Sequence, residues 1–496
     1  MDVQKILYVG CVLAGLSGCG GGGASPPVTA PGPDSSSAAL AQICAAQNPW
    51  VGDTISKTTV GTLADEKSWI KAYMSERYLW YKDIPVIDAN APRYNLSSNG
   101  LLNTIGSVVN YFYDSLTPLT TASGAAVDKF SFLIDTASWN NFVGSTELGY
   151  GLIFKMGNAS GPRSVTVSYV YPDSPAMRLD IRRGDQIISV DGVLVTDNSV
   201  DGLAILNEVL SPTKIASHKV VVSRAGTQKT YTVTPELVQL QQAEYKILDT
   251  PVGKMGYLLF NNHVPDAEVI LVQAMSAFSS QGVHNLVVDL RYNGGGYLRI
   301  ANALAASVAG SVRADGQTFE MARFSDKRAA ENYAMPFSLT GLNNQVYPSL
   351  NLTKIYVLVT GGTCSASESF VNGLRGIDVE VELIGETTCG KPYGFYPQDN
   401  CGLTYGAMEL EGVNAKGEGR YSDGMTPQCA STDDLSHPLG DASERMLSVA
   451  IKRMQGLSCS QASGVSLRSK SLAGMSLRDQ SQVFRPQWQT HKIFSR

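Results

Sequence analysis

Two residues suited to acyl transfer stand 26 positions apart in this chain. Ser365 lies in Gly361-Gly362-Thr363-Cys364-Ser365-Ala366-Ser367-Glu368, and Lys391 closes Gly385-Glu386-Thr387-Thr388-Cys389-Gly390-Lys391. A serine hydroxyl is a weak nucleophile until a neighbouring base takes its proton. An exposed lysine, with a pKa of about 10.4, is almost wholly protonated at neutral pH and cannot be that base. Burial against apolar walls disfavours the ammonium and lowers the pKa by roughly 3–5 units. A value of about 7 needs about 4 kcal/mol of differential solvation, which buried lysines reach.

The flanking sequence positions both groups. The apolar run 354–360 reads as a buried strand and residues 366–375 as a helix, which places Ser365 at a strand-to-helix turn. There the first helical N–H groups are unpaired and can stabilise an oxyanion. Residues 379–384 read as the neighbouring strand, with Lys391 in the loop after it. Further strand and helix patterns at 256–260, 266–279, 285–290 and 298–308 alternate, which implies a mainly parallel sheet flanked by helices. One strand ends in Asp289-Leu290-Arg291-Tyr292-Asn293-Gly294-Gly295-Gly296, whose glycines permit close backbone approach to a substrate.

The 496 residues suit about two to four domains. A net charge of −5 gives no reason to expect nucleic acid as a partner. Five histidines and no Cys-x-x-Cys argue against a multi-histidine metal site or zinc ribbon, so neither metal nor cofactor is expected. Upstream, residues 66–81 place Trp69, Tyr73 and Trp80 at helical spacing, which reads as a packed face in a mainly helical segment. Ser68 and Lys71 match the Ser-x-x-Lys of penicillin-recognising enzymes, but the Ser-Asp-Asn and Lys-Thr-Gly elements are absent.

Between about 147 and 236 the pattern is β-rich: Leu148-Gly149-Tyr150-Gly151-Leu152 enters a strand, 165–170 is another, Ser174-Pro175-Ala176 opens a short helix, and Asp191-Gly192 is a hairpin turn. Together with Arg183-Gly184-Asp185 this resembles the circularly permuted PDZ domains of bacterial proteases. The resemblance implies a peptide added as a strand beside residues 149–154, with its terminal carboxylate at the loop N–H groups of Leu148 to Leu152 and a helix near 200–210 as wall.

The strand-end glycines, Ser-Ala-Ser-Glu and the later Gly-Lys, with Tyr78-Leu79-Trp80-Tyr81 and Asp433-Asp434-Leu435-Ser436-His437, resemble the carboxyl-terminal processing, or tail-specific, serine peptidases. That resemblance implies an α/β fold class: a ClpP/crotonase-like protease core with an inserted β-rich PDZ domain and an N-terminal helical domain. It makes Ser365 the nucleophile, Lys391 the base, and Ala366 with Gly295 or Gly296 the oxyanion donors. Some members place a glutamine four residues after the lysine to orient it; here that position is Phe395, and Gln398 is the substitute candidate. Glu368 reads as a first-turn residue favoured by the helix dipole. Cys364 reads as buried or disulfide-bonded, and His263 as structural.

The N-terminus reads as a targeting segment: Lys5, an apolar stretch over 6–16, and Leu16-Ser17-Gly18-Cys19, which resembles the bacterial lipobox. Cys19 is then the lipidated residue, anchoring an outer-membrane lipoprotein that faces the periplasm. The expected organisation is a signal peptide at 1–18, a Gly/Pro/Ser-rich tether at 19–41, a helical domain at 42–141, PDZ at 147–236, a protease core at 243–460 and a basic tail at 461–496. Six cysteines remain in this exported setting; the expected bridges are Cys44 with Cys459 and one or two among Cys364, Cys389, Cys401 and Cys429. The expected activity is endopeptidase cleavage of polypeptides near unstructured C-terminal ends. The alternative is an inert PDZ scaffold that binds peptides; oligomeric state is left open.

Overall fold

The computed structural model describes residues 36–53, 57–98, 101–157 and 162–460. Cys19, most of the expected tether and the basic tail lie outside the described residues.

The core is a six-stranded sheet in the order Ala243–Thr250, Gly253–Phe260, Asn285–Asp289, Lys354–Val359, Glu380–Gly385, Cys429–Ala430. All neighbours are parallel except the first pair, which a tight turn closes as an antiparallel hairpin. Side chains alternate between the two faces along each strand. Leu258, Phe260, Leu286, Val288, Ile355, Val357 and Val359 pack with the helices Ala267–Ser280, Leu298–Ala309 and Ala366–Gly376. Tyr257, Leu259, Val287, Tyr356, Leu358 and Ile384 face Met446, Leu447 and Ala450 of the closing helix, Arg445–Met454. Both faces are covered, which explains why these strands read as near-continuous apolar runs.

The helical spacing of the N-terminal segment runs past the end of its helix. Its main helix is Leu63–Arg77, where Thr62 and Asp65 form a capping box. The chain turns extended at Tyr78, so the helix ends before Trp80, and Trp80 instead meets Tyr393 edge-on at 4.8 Å. Trp69, Ile70, Tyr73 and Met74 are buried as a packed face. Ser68 Oγ donates to Ala64 O at 2.7 Å and Lys71 is exposed, which leaves the Ser-x-x-Lys match as helix surface.

After the helix Thr104–Asp114 the segment adds a strand, Phe132–Asp135, to Leu403–Gly406 of the core half of the chain. The disulfide Cys44–Cys401 fixes the same junction. The expected Cys44–Cys459 pair does not form: Cys459 joins Cys429 on the last core strand, because residues 456–460 return to that edge after the closing helix.

The β-rich insert forms a sheet in the order Thr227–Val233, His218–Arg224, Gln186–Val190, Val165–Val170, Leu152–Met156, with Val193–Leu194 beside Gln186–Val190. Leu152–Met156 is thus an edge strand with one side open to an added strand. The helix Val200–Leu210 closes the insert's own core through Leu203, Leu206 and Val209. Where the insert begins and ends, Thr146–Gly149 pairs antiparallel with Glu236–Gln239. Leu148 and Gly149 therefore belong to this base ladder, and only from Leu152 does the chain enter the sheet edge; buried Tyr150 and Gly151, at φ 71°, form the turn between them.

Candidate active site

Ser365 takes φ 55° and ψ −117°, a strained conformation for a residue with a Cβ. Such strain persists only where surrounding structure over-determines it, and here the surroundings are tightly stitched. Cys364 N donates to Asn293 O at 3.0 Å and Ser367 Oγ to the same oxygen at 3.1 Å. Thr363 Oγ1 reaches Leu290 O at 2.8 Å, and Thr360 Oγ1 bonds Arg291 O. The elbow is thereby sewn to the glycine loop at the end of the adjacent strand.

Gly295, at φ 106°, packs so closely on this elbow that a Cβ there would lie 2.8 Å from Ser365 Cβ and 3.1 Å from Ala366 N. Its own N–H is spent on Asn293 Oδ1 at 2.9 Å. The neighbouring Gly296 and Ala366 N–H groups carry no hydrogen bond among the described residues, and Gly296 is exposed. Of the expected oxyanion donors, Ala366 and Gly296 thus keep unbonded N–H groups among the described residues, while Gly295 gives the close approach to the elbow.

Lys391 is 3% exposed. Burial lowers its pKa to about 8, against the opposing charges of Asp128 and Glu368. Serine and lysine loops meet at Glu368. Its Oε2 accepts from Ser365 N at 3.0 Å and from Lys391 N at 2.8 Å; Oε1 accepts from Gly390 N at 2.9 Å and Thr388 Oγ1 at 2.5 Å. Burial pushes the Glu368 carboxyl up, and these four donors pull it back. A disulfide between Cys364 and Cys389 adds a covalent tie, joining the residue before Ser365 to the residue two before Lys391. Cys364 is thus no nucleophile. Among the described residues no hydrogen bond links Ser365 Oγ to Lys391 Nζ; catalytic contacts are often long without substrate.

Gln398 is engaged elsewhere than at the lysine. It sits on the strand Gln398–Asn400, its Nε2 donates to Pro397 O at 3.0 Å, and no hydrogen bond connects it to Lys391. His263 is fully buried with Nδ1 3.1 Å from Asn293 Oδ1, and burial holds its pKa down at about 4. It bridges to Gly296 through the backbone, a structural place beneath the glycine loop.

The lysine's surroundings were not visible in the sequence. Asp128 and Phe130 arrive from the N-terminal segment just before its strand Phe132–Asp135, and no spacing rule connects residues so far apart. A second cluster lies behind the glycine loop. Buried Arg291 pairs with Asp289 at 2.8 Å, Asp433 at 2.7 Å and Glu444 at 3.0 Å. Asp433 also accepts from Tyr292 Oη at 2.5 Å and pairs with Arg183 of the insert at 2.6 Å. Tyr292 of the glycine motif thus has a partner, and the insert is anchored to the loop that carries Gly295.

A strained serine elbow and the loop of a buried lysine thus meet at Glu368, on a mainly parallel α/β core with an inserted β-rich module. Residues 254–395 match Peptidase family S41, and residues 166–204 match the PDZ domain. The chain carries an S41 peptidase core and a PDZ domain. It is 24% identical over 331 residues to a protein of Staphylococcus haemolyticus named "Probable CtpA-like serine protease", which covers 64% of this chain and 61% of the relative. It is 26% identical over 220 residues to a carboxyl-terminal-processing protease of Picosynechococcus, covering 44% of this chain and 49% of the relative. The matched stretches thus span about half to three fifths of these relatives. A solved structure assigned to the S41 proteases, from Bacteroides fragilis, superposes with a TM-score of 0.60 at 24% identity, over 78% of this chain and 97% of that one. The expected fold class, an α/β protease core with an inserted β-rich PDZ domain, is the one found.

Proposed function

We propose that this chain is a serine endopeptidase that cleaves polypeptides near unstructured C-terminal ends through an acyl-enzyme. The observation that carries the reading is the convergence on Glu368 Oε2: one oxygen holds the backbone of Ser365 and of buried Lys391 together. Neutral Lys391 takes the Ser365 proton as Oγ attacks the scissile carbonyl. The oxyanion is received by the Ala366 and Gly296 N–H groups, the lysine ammonium protonates the departing amine, and water resolves the ester. The PDZ domain would hold a substrate tail as an added strand at Leu152–Met156. Lipidation at Cys19 and a periplasm-facing outer-membrane location fit the N-terminal sequence.

Against the inert scaffold stands a lysine kept buried at some cost beside a strained serine, an arrangement peptide binding by the PDZ domain does not need. Digestion of an unfolded model protein, with and without a grafted apolar C-terminal tail, tests both parts. Cleavage by the wild type and none by Ser365→Ala or Lys391→Ala is expected, with faster cleavage of the tailed protein. Equal rates on both proteins would remove tail recognition, and undiminished cleavage by Lys391→Ala would remove the dyad.

A further inference from the structure

Two lysines in the described residues are almost fully buried, and they are held in opposite ways. Lys67 satisfies its ammonium, donating to Ala89 O at 2.7 Å, Asn95 Oδ1 at 3.0 Å and Tyr94 O at 3.2 Å. Lys391 Nζ makes no hydrogen bond among the described residues. What it faces instead are rings: its Nζ lies 4.8 Å from the centre of Phe395 and 5.6 Å from that of Phe130. Both distances fall inside the range for a cation over an aromatic face.

The charged groups around the amine are already occupied. Asp128 accepts from Tyr78 Oη at 2.6 Å, Ser131 N at 2.8 Å, Ser131 Oγ at 2.6 Å and Phe130 N at 3.0 Å. Glu368 is filled by the four donors of the two loops. Both act on Lys391 through space, without a bond to its nitrogen. The rings, by contrast, are braced: Phe395 meets Phe132 edge-on at 5.1 Å and Trp139 at 6.1 Å, and Phe130 lies 6.3 Å from Tyr393.

We propose that Phe395, together with Phe130, is the positioning residue for Lys391, a ring-faced seat that replaces a hydrogen-bonding amide. The inference rests on the reading of Lys391 as the base. A ring face attracts the ammonium yet offers no lone pair that would fix one of its protons toward an acceptor. The nitrogen stays directed by its stem and by packing, and its lone pair, once neutral, is left for the Ser365 hydroxyl. Because Phe130 comes from the N-terminal segment, the seat is complete only when that segment is docked through Phe132–Asp135 on Leu403–Gly406.

The test is the pH dependence of acylation by a fluorophosphonate probe on the full-length protein. In Phe395→Leu, which keeps apolar volume and loses the ring, the ammonium loses a favourable partner, so the acid limb should move down by about one pH unit. Phe130→Leu should move it the same way by less, in keeping with the longer distance, and Phe395→Tyr should leave it in place. A rate lowered equally at every pH, or an unmoved limb in both leucine variants while Lys391→Ala is inactive, would make the rings mere filler and overturn the seat. Should Phe395→Leu fail to fold, Phe130→Leu decides. If Lys391→Ala is acylated at the wild-type rate, the lysine is not the base and the catalytic reading falls along with the seat.

Discussion

The two halves of the site are built by different means. The serine half is local: a strand, an elbow and a helix in one stretch of chain, sewn to the adjacent glycine loop by backbone and hydroxyl bonds. The lysine half is assembled from distant parts. Its loop pairs through Tyr393–Gly394 with Leu410–Val413, its rings come from Phe395 and Phe130, and its opposing charges come from Asp128 and Glu368. A nucleophile can be presented by one sharp turn, whereas a lysine must be wrapped in apolar surroundings for its pKa to fall. Glu368 and the Cys364–Cys389 bridge are where the halves meet.

The largest effect is expected from removing that meeting point. Glu368→Ala leaves four donors without their acceptor, so unfolding free energy by urea denaturation should drop by about 3–5 kcal/mol, with peptidase activity lost. A variant that stays near wild-type stability would show the two halves to be held independently.

Next comes the bridge. Replacing Cys364 and Cys389 by serine frees a loop whose ends are 25 residues apart, worth about 3 kcal/mol in the chain-entropy account, and should slow cleavage about tenfold or more. Replacing Cys429 and Cys459, 30 residues apart, has a similar loop to release but touches neither half of the site, so stability should fall with the rate per folded molecule retained. Equal loss of rate in both double variants would erase the distinction.

The smallest effect concerns charge on the lysine side alone. Asp128 favours the ammonium, so Asp128→Asn should lower the Lys391 pKa and move the acid limb of the rate profile to lower pH, by less than about one unit. The hydrogen bond from Tyr78 Oη can survive on the carbonyl oxygen of the introduced amide. A shift to higher pH would mean that Asp128 acts mainly through structure.

The same asymmetry decides what the sequence could tell. The strand, turn and helix around Ser365 and the strand before Lys391 were legible because such patterns are local, and the sheet followed from alternating apolar segments. Which glycine of the loop keeps an unbonded N–H was not, since the Asn293 side chain captures that of Gly295. Gln398 is near Lys391 in sequence, but the strand it occupies turns its amide to Pro397. The pairing of Cys44 with Cys401 depends on how the N-terminal segment docks, which periodicity does not encode. Phe395 looked like a missing glutamine; only the neighbouring Phe130 gives it a role.

In the proposed mechanism Ser365 is activated by a lysine whose burial brings its pKa to about 8. The rate of covalent labelling by a fluorophosphonate, followed from about pH 6 to about pH 10 by intact mass, tests it most directly. The expected rate rises about tenfold per pH unit at the acid end and levels above about pH 8, with label on Ser365 and on no other residue. Labelling that persists in Ser365→Ala, or a rate that does not change across this range, would contradict it.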